Sequence, residues 1–498
     1  MSPLGSFEST IAIARHAPEL RRRTKIVATL GPATDDPDTL VDLIVAGVNV
    51  VRINFSHGSA ADQVTRIENV RQIADKLGRP VGIIGDLQGP KIRVESFVSG
   101  KVMLENGAQF TLDTAMDPMA GNEKAVGVAY PELVRDVRAG DTLLLNDGLI
   151  ELVVDGVGET RVRCTVVRGG VLSNRKGLNK QGGGLTAPAL TDKDRADIAI
   201  AARLQVDFLA VSFVRDAEDI LEARRLLRDA GGTGYIIAKI ERTEAVENIE
   251  AIIDVTDAIM VARGDLAVEV GYAAMTGLQK GMIHLARSRN RIAITATQML
   301  ESMIWNASPT RAEVSDVANA VMDGTDAVML SAETAVGDYP VETVRTMSKV
   351  CVGAEKHDTK RAMVYFRDDD RFDHVDQAIA MASMYTANHL SVKAIIALTE
   401  SGSTSLWMSR QRTDIPIYAL TRHEVTRRRV TLYRGVYPVS FDVVNIEPDR
   451  IYEAAMEALR DHGDLTPGDL VLFTHGQQEG VAGGTNTLHI LTVPKGRD

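Results

Sequence analysis

Eight short apolar runs, each followed by polar or charged residues, constrain the fold of this chain more than any other feature. They are TKIVATLG from Thr24, VNVVRIN from Val48, VGIIGDL from Val81, FLAVSF from Phe208, YIIAKIE from Tyr235, AIMVARGD from Ala258, IAITATQ from Ile292 and AVMLSAE from Ala327. Near-continuous Val, Ile and Ala runs are typical of strands buried on both faces, as in parallel sheets. Stretches of helical period, such as PDTLVDLIVAG and DAEDILEARRLLRDAGG, lie between most of them. The alternation predicts an α/β fold built on a (β/α)8, or TIM, barrel.

The predicted strand ends carry side chains suited to phosphate, metal or carboxylate: Arg52, Asn54, Asp86, Ser212, Lys239, Glu241, Arg263, Asp265, Thr297, Ser331 and Glu333. Active sites of such barrels lie at the carboxyl ends of the strands. Packing alone does not require so many opposite charges at one end of a barrel. The set therefore predicts a catalytic site there.

Composition excludes several classes of protein. A length of 498 residues suggests about three domains. The net charge of -11 and the pI near 5.5 argue against a general binder of nucleic acid or of a membrane surface, both of which need a basic excess. The two cysteines form no CxxC pair, so we expect no disulfide framework and a reduced, cytoplasmic compartment. We also expect no exported or membrane-spanning segment, since no run approaches ~20 apolar residues.

The third predicted strand ends at Asp86 and the fourth begins near Phe208, too far apart for a single crossover helix. Short strand-like pieces between them (KVMLE, QFTLD, DTLLLND, IELVVD, RVRCTVV) alternate with turn residues and predict a small inserted β-barrel domain. Such an insert commonly acts as a lid that excludes water, although a passive β domain is the alternative. A separate α/β domain is predicted at the C-terminal end.

These patterns together predict the domain boundaries. They are 1–20 for an N-terminal segment, 21–87 with 187–360 for the barrel, 88–186 for the lid and 361–498 for the C-terminal α/β domain. Whether the N-terminal segment is a short helix or a loose arm stays open.

Lys239 and Glu241 are two positions apart on a strand, so both side chains point to the same side. Asp265, at the end of the next strand, supplies a second carboxylate. Two carboxylates completed by substrate oxygens and waters are a usual way of holding Mg²⁺. The alternative is a Lys239–Glu241 salt bridge that lines the barrel mouth.

Three further strand-end residues suit an anionic substrate. Gly264, before Asp265, allows the backbone to approach a ligand closely. Arg52 suits planar, multidentate contact with phosphate. Thr297 is either a ligand to a carboxylate and part of a proton path, or a strand threonine bonded to backbone. His57 is a loop histidine with or without a catalytic task.

Taken together, KIVATLGPAT, VRINFSHG, GDLQGPKIR, AKIE, MVARGDL, ATQMLESM, PTRAEVSDVANAVMDGTDAVMLSAETAVGDYP and the C-terminal domain resemble pyruvate kinases over nearly the whole chain. The resemblance implies transfer of a phosphoryl group from phosphoenolpyruvate to ADP, which gives pyruvate and ATP at the end of glycolysis. It also implies a homotetramer.

The resemblance carries residue roles onto matching positions. Glu241 and Asp265 would hold Mg²⁺, with Mn²⁺ as a possible substitute. Lys239 and Arg52 would neutralise the transferred phosphoryl group. Gly264, Asp265 and Thr297 would contact the three-carbon acid, and Thr297 with water would protonate the enolate. The residues on the nucleotide side would be Asn54, His57, Arg93 and Lys176.

One departure concerns potassium. Family members that require K⁺ read DTKGPEIR at the third strand, and the ion lies among residues that match Asn54, Ser56, Asp86 and the threonine that follows. Here Leu87 removes a hydroxyl ligand, and Lys91 replaces an acidic residue. Because a Lys ammonium supplies the missing positive charge, we predict catalysis without a K⁺ requirement. The competing interpretation is that Lys91 is solvated and K⁺ still binds.

A second departure concerns regulation. The resemblance places an allosteric sugar-phosphate site at the loop formed by Thr399, Ser401, Gly402, Ser403 and Thr404. The later segment GQQEGVAGGTNT lacks the Trp and Arg that accompany fructose bisphosphate binding in some relatives. We expect a phosphorylated effector that is a sugar monophosphate or AMP. An unliganded Ser/Gly turn is the alternative.

Two other functions fit part of the pattern. A Mg²⁺-dependent aldolase or lyase acting on pyruvate would need the carboxylates but no ADP. A catalytically silent sugar-phosphate sensor would have lost residues such as Lys239 or Asp265, and these are present.

Overall fold

The computed structural model describes residues 22–358, 372–461, 463–476 and 483–495. The predicted N-terminal segment 1–20, the predicted join at 360–361 and residues 477–482 of the segment GQQEGVAGGTNT lie outside the described residues. The described residues fall into two compact units. One holds 22–85, 204–208 and those after 285, and the other holds 86–203 and 209–285.

The strands, in chain order, are β1 Lys25–Thr29, β2 Val50–Asn54, β3 Gly82–Asp86, β4 Lys101–Leu104, β5 Gln109–Asp113, β6 Ala125–Gly127, β7 Thr142–Leu145, β8 Ile150–Val157, β9 Arg161–Arg168, β10 Gly170–Ser173, β11 Leu178–Lys180, β12 Phe208–Val211, β13 Tyr235–Ile240, β14 Ala258–Ala262, β15 Ile292–Ala296, β16 Ala327–Leu330, β17 Ala394–Leu398, β18 Ile417–Thr421, β19 Val436–Ser440, β20 Leu470–Gly476 and β21 Thr485–Thr492.

The α-helices follow in the same order. They are α1 Pro37–Ala46, α2 Ala60–Leu77, α3 Leu133–Asp136, α4 Asp192–Arg203, α5 Ala217–Asp229, α6 Thr243–Glu247, α7 Ile249–Val255, α8 Arg263–Val270, α9 Tyr272–Ser288, α10 Arg311–Asp323, α11 Ala332–Ala335, α12 Pro340–Asp358, α13 Val375–His389, α14 Ser403–Ser409, α15 Glu424–Val430 and α16 Ile451–Asp461.

Eight strands close into a barrel in the order β1-β16-β15-β14-β13-β12-β3-β2. Pairs such as β1 with β2 and β13 with β14 are parallel. Every residue of β1, β14 and β15 is buried, which is why these strands read as continuous apolar runs. The predicted barrel is confirmed.

Local signals set the ends of the first two helices. Asp36 caps α1 by accepting a hydrogen bond from the Thr39 amide, and Gly47 ends the helix in the left-handed region. Ser59 and Asp62 form a reciprocal capping box at the start of α2. Polar residues at these positions therefore determine where each helix begins.

The inserted segment forms a six-stranded sheet, ordered β11-β7-β8-β9-β5-β6, and a two-stranded sheet of β10 and β4. Phe97, Phe110 and Leu152 lie in its single apolar core. The chain enters and leaves the insert side by side, because Arg93 bridges Gly177 in antiparallel fashion. The Leu178 amide donates to the Ile92 carbonyl at 2.9 Å.

The C-terminal domain has a five-stranded sheet in the order β19-β18-β17-β20-β21, in which β21 alone pairs antiparallel. Its core includes Ile396, Leu420 and Phe473 on the sheet, with Met456 and Leu459 from α16. The fold class predicted for this domain is confirmed.

Among the residues that the structure describes, no helix combines the length and the apolar character that crossing a membrane would require.

Candidate active site

Lys239, on β13, makes the densest set of polar contacts at a barrel strand end. Its side chain is buried, and its Nζ lies 2.9 Å from Glu241 Oε1 and 3.3 Å from Asp86 Oδ1. The same Nζ donates to Ser212 Oγ at 2.6 Å. Three consecutive barrel strands, β3, β12 and β13, thus bring their ends to one ammonium group. The contact between Lys239 and Glu241 is the one expected from their spacing.

Glu241 is buried beside Lys239, and its environment disfavours the charged carboxylate. Burial raises its pKa most, Lys239 opposes that effect, and the charge of Asp265 raises the pKa further. Its Oε2 accepts the Phe213 amide at 2.8 Å. A cation placed between Glu241 and Asp265 would stabilise the charged form of Glu241 against both its burial and the repulsion from Asp265.

Phe213 was not identified from the sequence. It follows Ser212 at the end of β12 with a φ of 54°, a left-handed conformation that large side chains rarely adopt. This conformation directs its amide at Glu241, while Ser212 Oγ donates to the Leu87 carbonyl at 2.7 Å. A backbone role of this kind leaves no side-chain signal in the sequence.

Asp265 and Gly264 lie in the first turn of α8, which begins at Arg263 directly after β14. Lys91 Nζ is 3.3 Å from Asp265 Oδ1, and both side chains are partly exposed. Asp86, which belongs to the predicted monovalent-ion site, pairs with Lys239 at 3.3 Å. Lys91 is thus a fixed positive charge next to one of the two predicted metal ligands.

Arg52, Asn54 and His57 belong to the other compact unit. Arg52 Nη1 donates to Thr29 Oγ1 on the neighbouring strand at 3.2 Å. Asn54 Oδ1 accepts the Ser56 amide at 3.1 Å, which holds the loop after β2 in a turn. His57 is exposed.

Thr297 follows β15 in a strained conformation, with a φ of 67°. Such a φ is unusual for a β-branched residue, and strain of this kind clusters at functional sites. Its hydroxyl donates to the Ala296 carbonyl at 2.6 Å. The hydrogen bond fits a threonine that only bonds to backbone, whereas the strain fits a threonine that contacts substrate.

Glu333, another strand-end carboxylate, has a structural role. It is buried, and its oxygens accept the Leu300 amide at 3.2 Å and the Ser331 amide at 2.6 Å. Burial raises its pKa. Both oxygens serve backbone donors of the loops after β15 and β16.

Arg93 and Lys176 lie on the two adjacent segments through which the chain enters and leaves the insert. Arg93 pairs with Gly177, and the Val94 amide donates to the Lys176 carbonyl at 2.9 Å. Arg93 Nη1 also donates to the Arg175 carbonyl at 3.1 Å. The two predicted nucleotide-side residues, far apart in sequence, therefore lie on neighbouring segments.

The loop before α14 is closed by its own hydroxyl groups. Thr399 Oγ1 accepts the Gly402 amide at 2.9 Å, and Ser401 Oγ lies 3.2 Å from Ser403 Oγ. Thr404 Oγ1 lies 2.7 Å from Thr485 Oγ1 on β21. These bonds lie within the loop, and its binding of a phosphorylated effector stays a prediction.

The donor set at Glu241 and Asp265 fits a divalent cation. The described residues contain no cluster of three or more His, Cys, Asp or Glu side chains that could hold a metal. A metal at this pair would therefore take its remaining ligands from substrate and water, as Mg²⁺ commonly does.

A closed βα barrel with a buried lysine and acidic side chains at its strand ends defines a barrel enzyme built to handle charged substrates. The family models described as "Pyruvate kinase, barrel domain" and "Pyruvate kinase, alpha/beta domain" match residues 21–344 and 377–491. The chain belongs to the pyruvate kinase family, and it is a phosphotransferase.

Its relatives match over almost the whole chain. It is 55% identical over 476 residues to Pyruvate kinase II of Salmonella typhimurium, which covers 95% of this chain and 99% of that protein. It is 51% identical to the pyruvate kinase of Haemophilus influenzae, with the same coverage. It is 42% identical to that of Geobacillus stearothermophilus, over 95% of this chain and 81% of that protein.

Proposed function

We propose that this protein transfers the phosphoryl group of phosphoenolpyruvate to ADP and releases pyruvate and ATP. The observation that carries the proposal is the buried ammonium of Lys239, held between Asp86, Ser212 and Glu241 at the barrel strand ends. Phosphoryl transfer depends mainly on positioning and on neutralising charge, and a fixed, buried cation does both.

In this proposal, Lys239 and Arg52 face the phosphoryl group in transit. Lys239 cannot move away without breaking its ion pairs with Asp86 and Glu241. Arg52 is steadied by its hydrogen bond to Thr29. The guanidinium plane suits two phosphate oxygens at once.

Glu241 and Asp265 would hold Mg²⁺, or Mn²⁺ in its place. When bound, the metal supplies Lewis-acid stabilisation of negative charge on the substrate oxygens. The protein supplies the spacing of the two carboxylates. Phe213 contributes through the amide that fixes Glu241.

Gly264, Asp265 and Thr297 would contact the three-carbon acid. Gly264 offers a backbone amide in the first helical turn, where anions bind well. Thr297, strained at φ 67°, would pass a proton through water to the enolate.

The nucleotide would bind near Asn54, His57, Arg93 and Lys176. Arg93 and Lys176 lie on the adjacent ends of the inserted domain. Movement of that domain as a lid would carry both cations with it and exclude water from the transfer.

We propose that K⁺ is not required. Support comes from Leu87, which cannot act as a hydroxyl ligand, and from the fixed ammonium of Lys91 beside Asp265. Replacing Lys91 by Gln should lower activity in a K⁺-free buffer and leave a larger response to added K⁺.

A phosphorylated metabolite, a sugar monophosphate or AMP, would act as allosteric activator at the loop from Thr399 to Thr404. A homotetramer and a cytoplasmic location follow from the family resemblance. The two buried, free cysteines Cys164 and Cys351 suit a reducing compartment.

The test is pyruvate formation from phosphoenolpyruvate, ADP and Mg²⁺, with and without K⁺, using tetramethylammonium to hold ionic strength constant. Equal activity in both buffers supports the kinase and the role of Lys91. Activity only with K⁺ keeps the kinase and overturns the Lys91 argument. No activity in either buffer, even with sugar phosphates present, would contradict the proposed reaction.

A further inference from the structure

The chain returns from the inserted domain to the barrel through three consecutive glycines, 182–184. Their φ values are 78°, 78° and 91°, all in the left-handed region. A Cβ added to Gly183 would lie 2.9 Å from the carboxylate of Glu244. The return therefore needs glycine both for its backbone conformation and for its close approach to an acidic side chain.

Two glutamates hold this glycine return. Glu244 Oε1 accepts the Gly184 amide at 2.5 Å and a hydrogen bond from Arg242 at 2.9 Å. The Glu269 carbonyl accepts the Gly182 amide at 3.1 Å. The contacts come from α6 and α8, the helices that directly follow β13 and β14.

The side chain of Glu269 contacts both the inserted domain and the start of α6. It is buried, its Oε2 accepts the Thr243 amide at 3.0 Å, and its Oε1 lies 3.5 Å from Asn179 Nδ2 on β11. Glu269 lies one helical turn after Asp265 on α8, and Thr243 lies two residues after Glu241. One carboxylate thus connects the insert, the end of β13 and the helix that carries Asp265.

We propose that Glu244 and Glu269 anchor the glycine return of the inserted domain, and that Glu269 is a positioning residue that sets the spacing of Glu241 and Asp265. The first part rests on contacts within one compact unit. The second part rests on the proposed function, because it concerns the two carboxylates assigned to the metal.

The surroundings of Glu269 make the anchor sensitive to pH. A small, partly open pocket adjoins it and is lined by Lys91, Asn179, Phe213 and Arg242, among others. The charged groups that face Glu269 are Arg242 and Glu244 beside α6, and Lys91 across the cavity. Burial raises the pKa of Glu269 from 4.5 to about 7, against the opposing effect of the Thr243 amide and Arg242.

The direction of the pH effect follows from that pKa. Glu269 binds a proton more tightly when the glycine return is held against α6 and α8 (docked) than when the return is released and Glu269 is exposed to water. Docking is therefore fully favourable below the ordinary pKa of 4.5, weakens as pH rises toward about 7, and changes little above that. The limiting slope is about tenfold in the docking equilibrium per pH unit.

Hydrogen–deuterium exchange of the full-length free enzyme tests the anchor without any reference to activity. Glu244→Ala removes the acceptor of the Gly184 amide, so exchange across 181–186 should rise about tenfold. Glu247→Gln, on the exposed side of the same helix, is the matched control and should leave exchange unchanged. Equal exchange in Glu244→Ala and the wild type would overturn the anchor, and so would an equal rise in the control.

Glu269→Gln tests the pH dependence with little change of shape. In the wild type, protection of 181–186, corrected for intrinsic exchange, should fall between about pH 5 and about pH 7. In the variant, that fall should be absent. A variant that keeps the wild-type slope would show that Glu269 does not govern docking.

Direct Mn²⁺ binding, measured by electron paramagnetic resonance without substrates, tests the positioning role. Glu269→Ala should weaken Mn²⁺ binding several-fold, and Glu247→Gln should not. If exchange changes but Mn²⁺ binding does not, the positioning role is wrong while the anchor stands. If wild-type enzyme binds no Mn²⁺, it is the proposed metal site that fails.

Discussion

At the scale of single residues, Lys239 is a buried cation with oxygens of three side chains around it. A buried charge is tolerated only when paired, and removing one partner leaves the others uncompensated. Lys239 is thus a structural counter-ion for Asp86 and Glu241, and in the proposed function it is also the cation offered to substrate.

Lys239→Met should abolish phosphoryl transfer in a variant that still folds but is less stable, because Asp86 and Glu241 lose their buried counter-ion. Methionine fills a similar volume but carries no charge, so kcat should fall by at least about 10²–10³-fold, as on removing a single electrostatic contact to a transition state. Circular dichroism checks the fold, and Lys101→Met, on an exposed position of β4, is the control. A folded Lys239→Met enzyme with normal kcat would refute the mechanism.

The sequence predicted that Lys239 and Glu241 point to the same side, because side chains two apart on a strand share a face, and their salt bridge was one of two interpretations. It did not predict the contribution of Phe213, because a positive φ and an amide hydrogen bond are properties of the backbone path. The pairing of Lys91 with Asp265 was also missed, since it depends on how the chain turns after β3. The catalytic roles of these residues stay predictions.

At the scale of elements, the start of α10 depends on one carboxylate. Glu313 accepts hydrogen bonds from the amide and hydroxyl of Thr310 and from those of Ser302. The Thr310 amide bond and the reciprocal bond from the Glu313 amide to Thr310 Oγ1 form a capping box, and the Ser302 bonds tie the helix to the short 3-10 helix Glu301–Ile304. Partial burial alone would raise the pKa of Glu313, but these hydrogen bonds lower it.

Glu313→Gln should destabilise the protein more at neutral pH than at acidic pH. A depressed carboxyl pKa contributes stability above the ordinary pKa of 4.5, and that contribution is lost as pH falls through the folded-state value. The loss at neutral pH should be about 1 kcal/mol, in the range of a helix cap. Urea unfolding at both pH values measures it, with the exposed Glu301→Gln as control. An equal loss at both pH values would contradict the linkage.

Sequence periodicity predicted the long elements better than the short ones. The barrel strands and helices such as α5 repeat apolar residues over enough positions to show a period. The short helix α15 went unpredicted because EVTRRRV has apolar residues only at Val425 and Val430. Strands of three or four residues, such as β6 and β11, are likewise too short to alternate visibly.

At the scale of the whole molecule, Asp326 links the barrel to the C-terminal domain within one compact unit. It is fully buried, and it forms a two-pronged ion pair with Arg410 and accepts the amides of Ala293 and Arg434. Burial opposes its ionisation, but Arg410 lowers the pKa of Asp326 below its usual value. Asp326 is therefore ionised in the folded protein.

Asp326→Asn should destabilise the protein by about 3–5 kcal/mol, the usual consequence of leaving a buried arginine without its counter-ion. The midpoint of urea unfolding is the measurement. Asp323→Asn, three residues earlier on α10, is the control. An Asp326→Asn midpoint equal to that of the wild type would show that Arg410 is satisfied by its other contacts.

The gap between the third and fourth apolar runs predicted an insertion, and its strand-like pieces predicted β structure. The antiparallel contact between the two ends of the insert could not be predicted, because it joins residues far apart in sequence that lack a distinctive pattern. Arg93 opposite Gly177 is such a contact. Only the folded chain reveals it.

That contact has a consequence for chain entropy. Antiparallel neighbours are about 5 Å apart, so the two ends of the folded insert are separated by no more than the ends of a tight turn. Once the insert has folded, closing the barrel costs no more entropy than closing a short loop, whereas an unfolded segment of that length would impose a larger penalty. Folding of the insert would therefore assist barrel closure, and a different domain with adjacent ends would serve the barrel equally well.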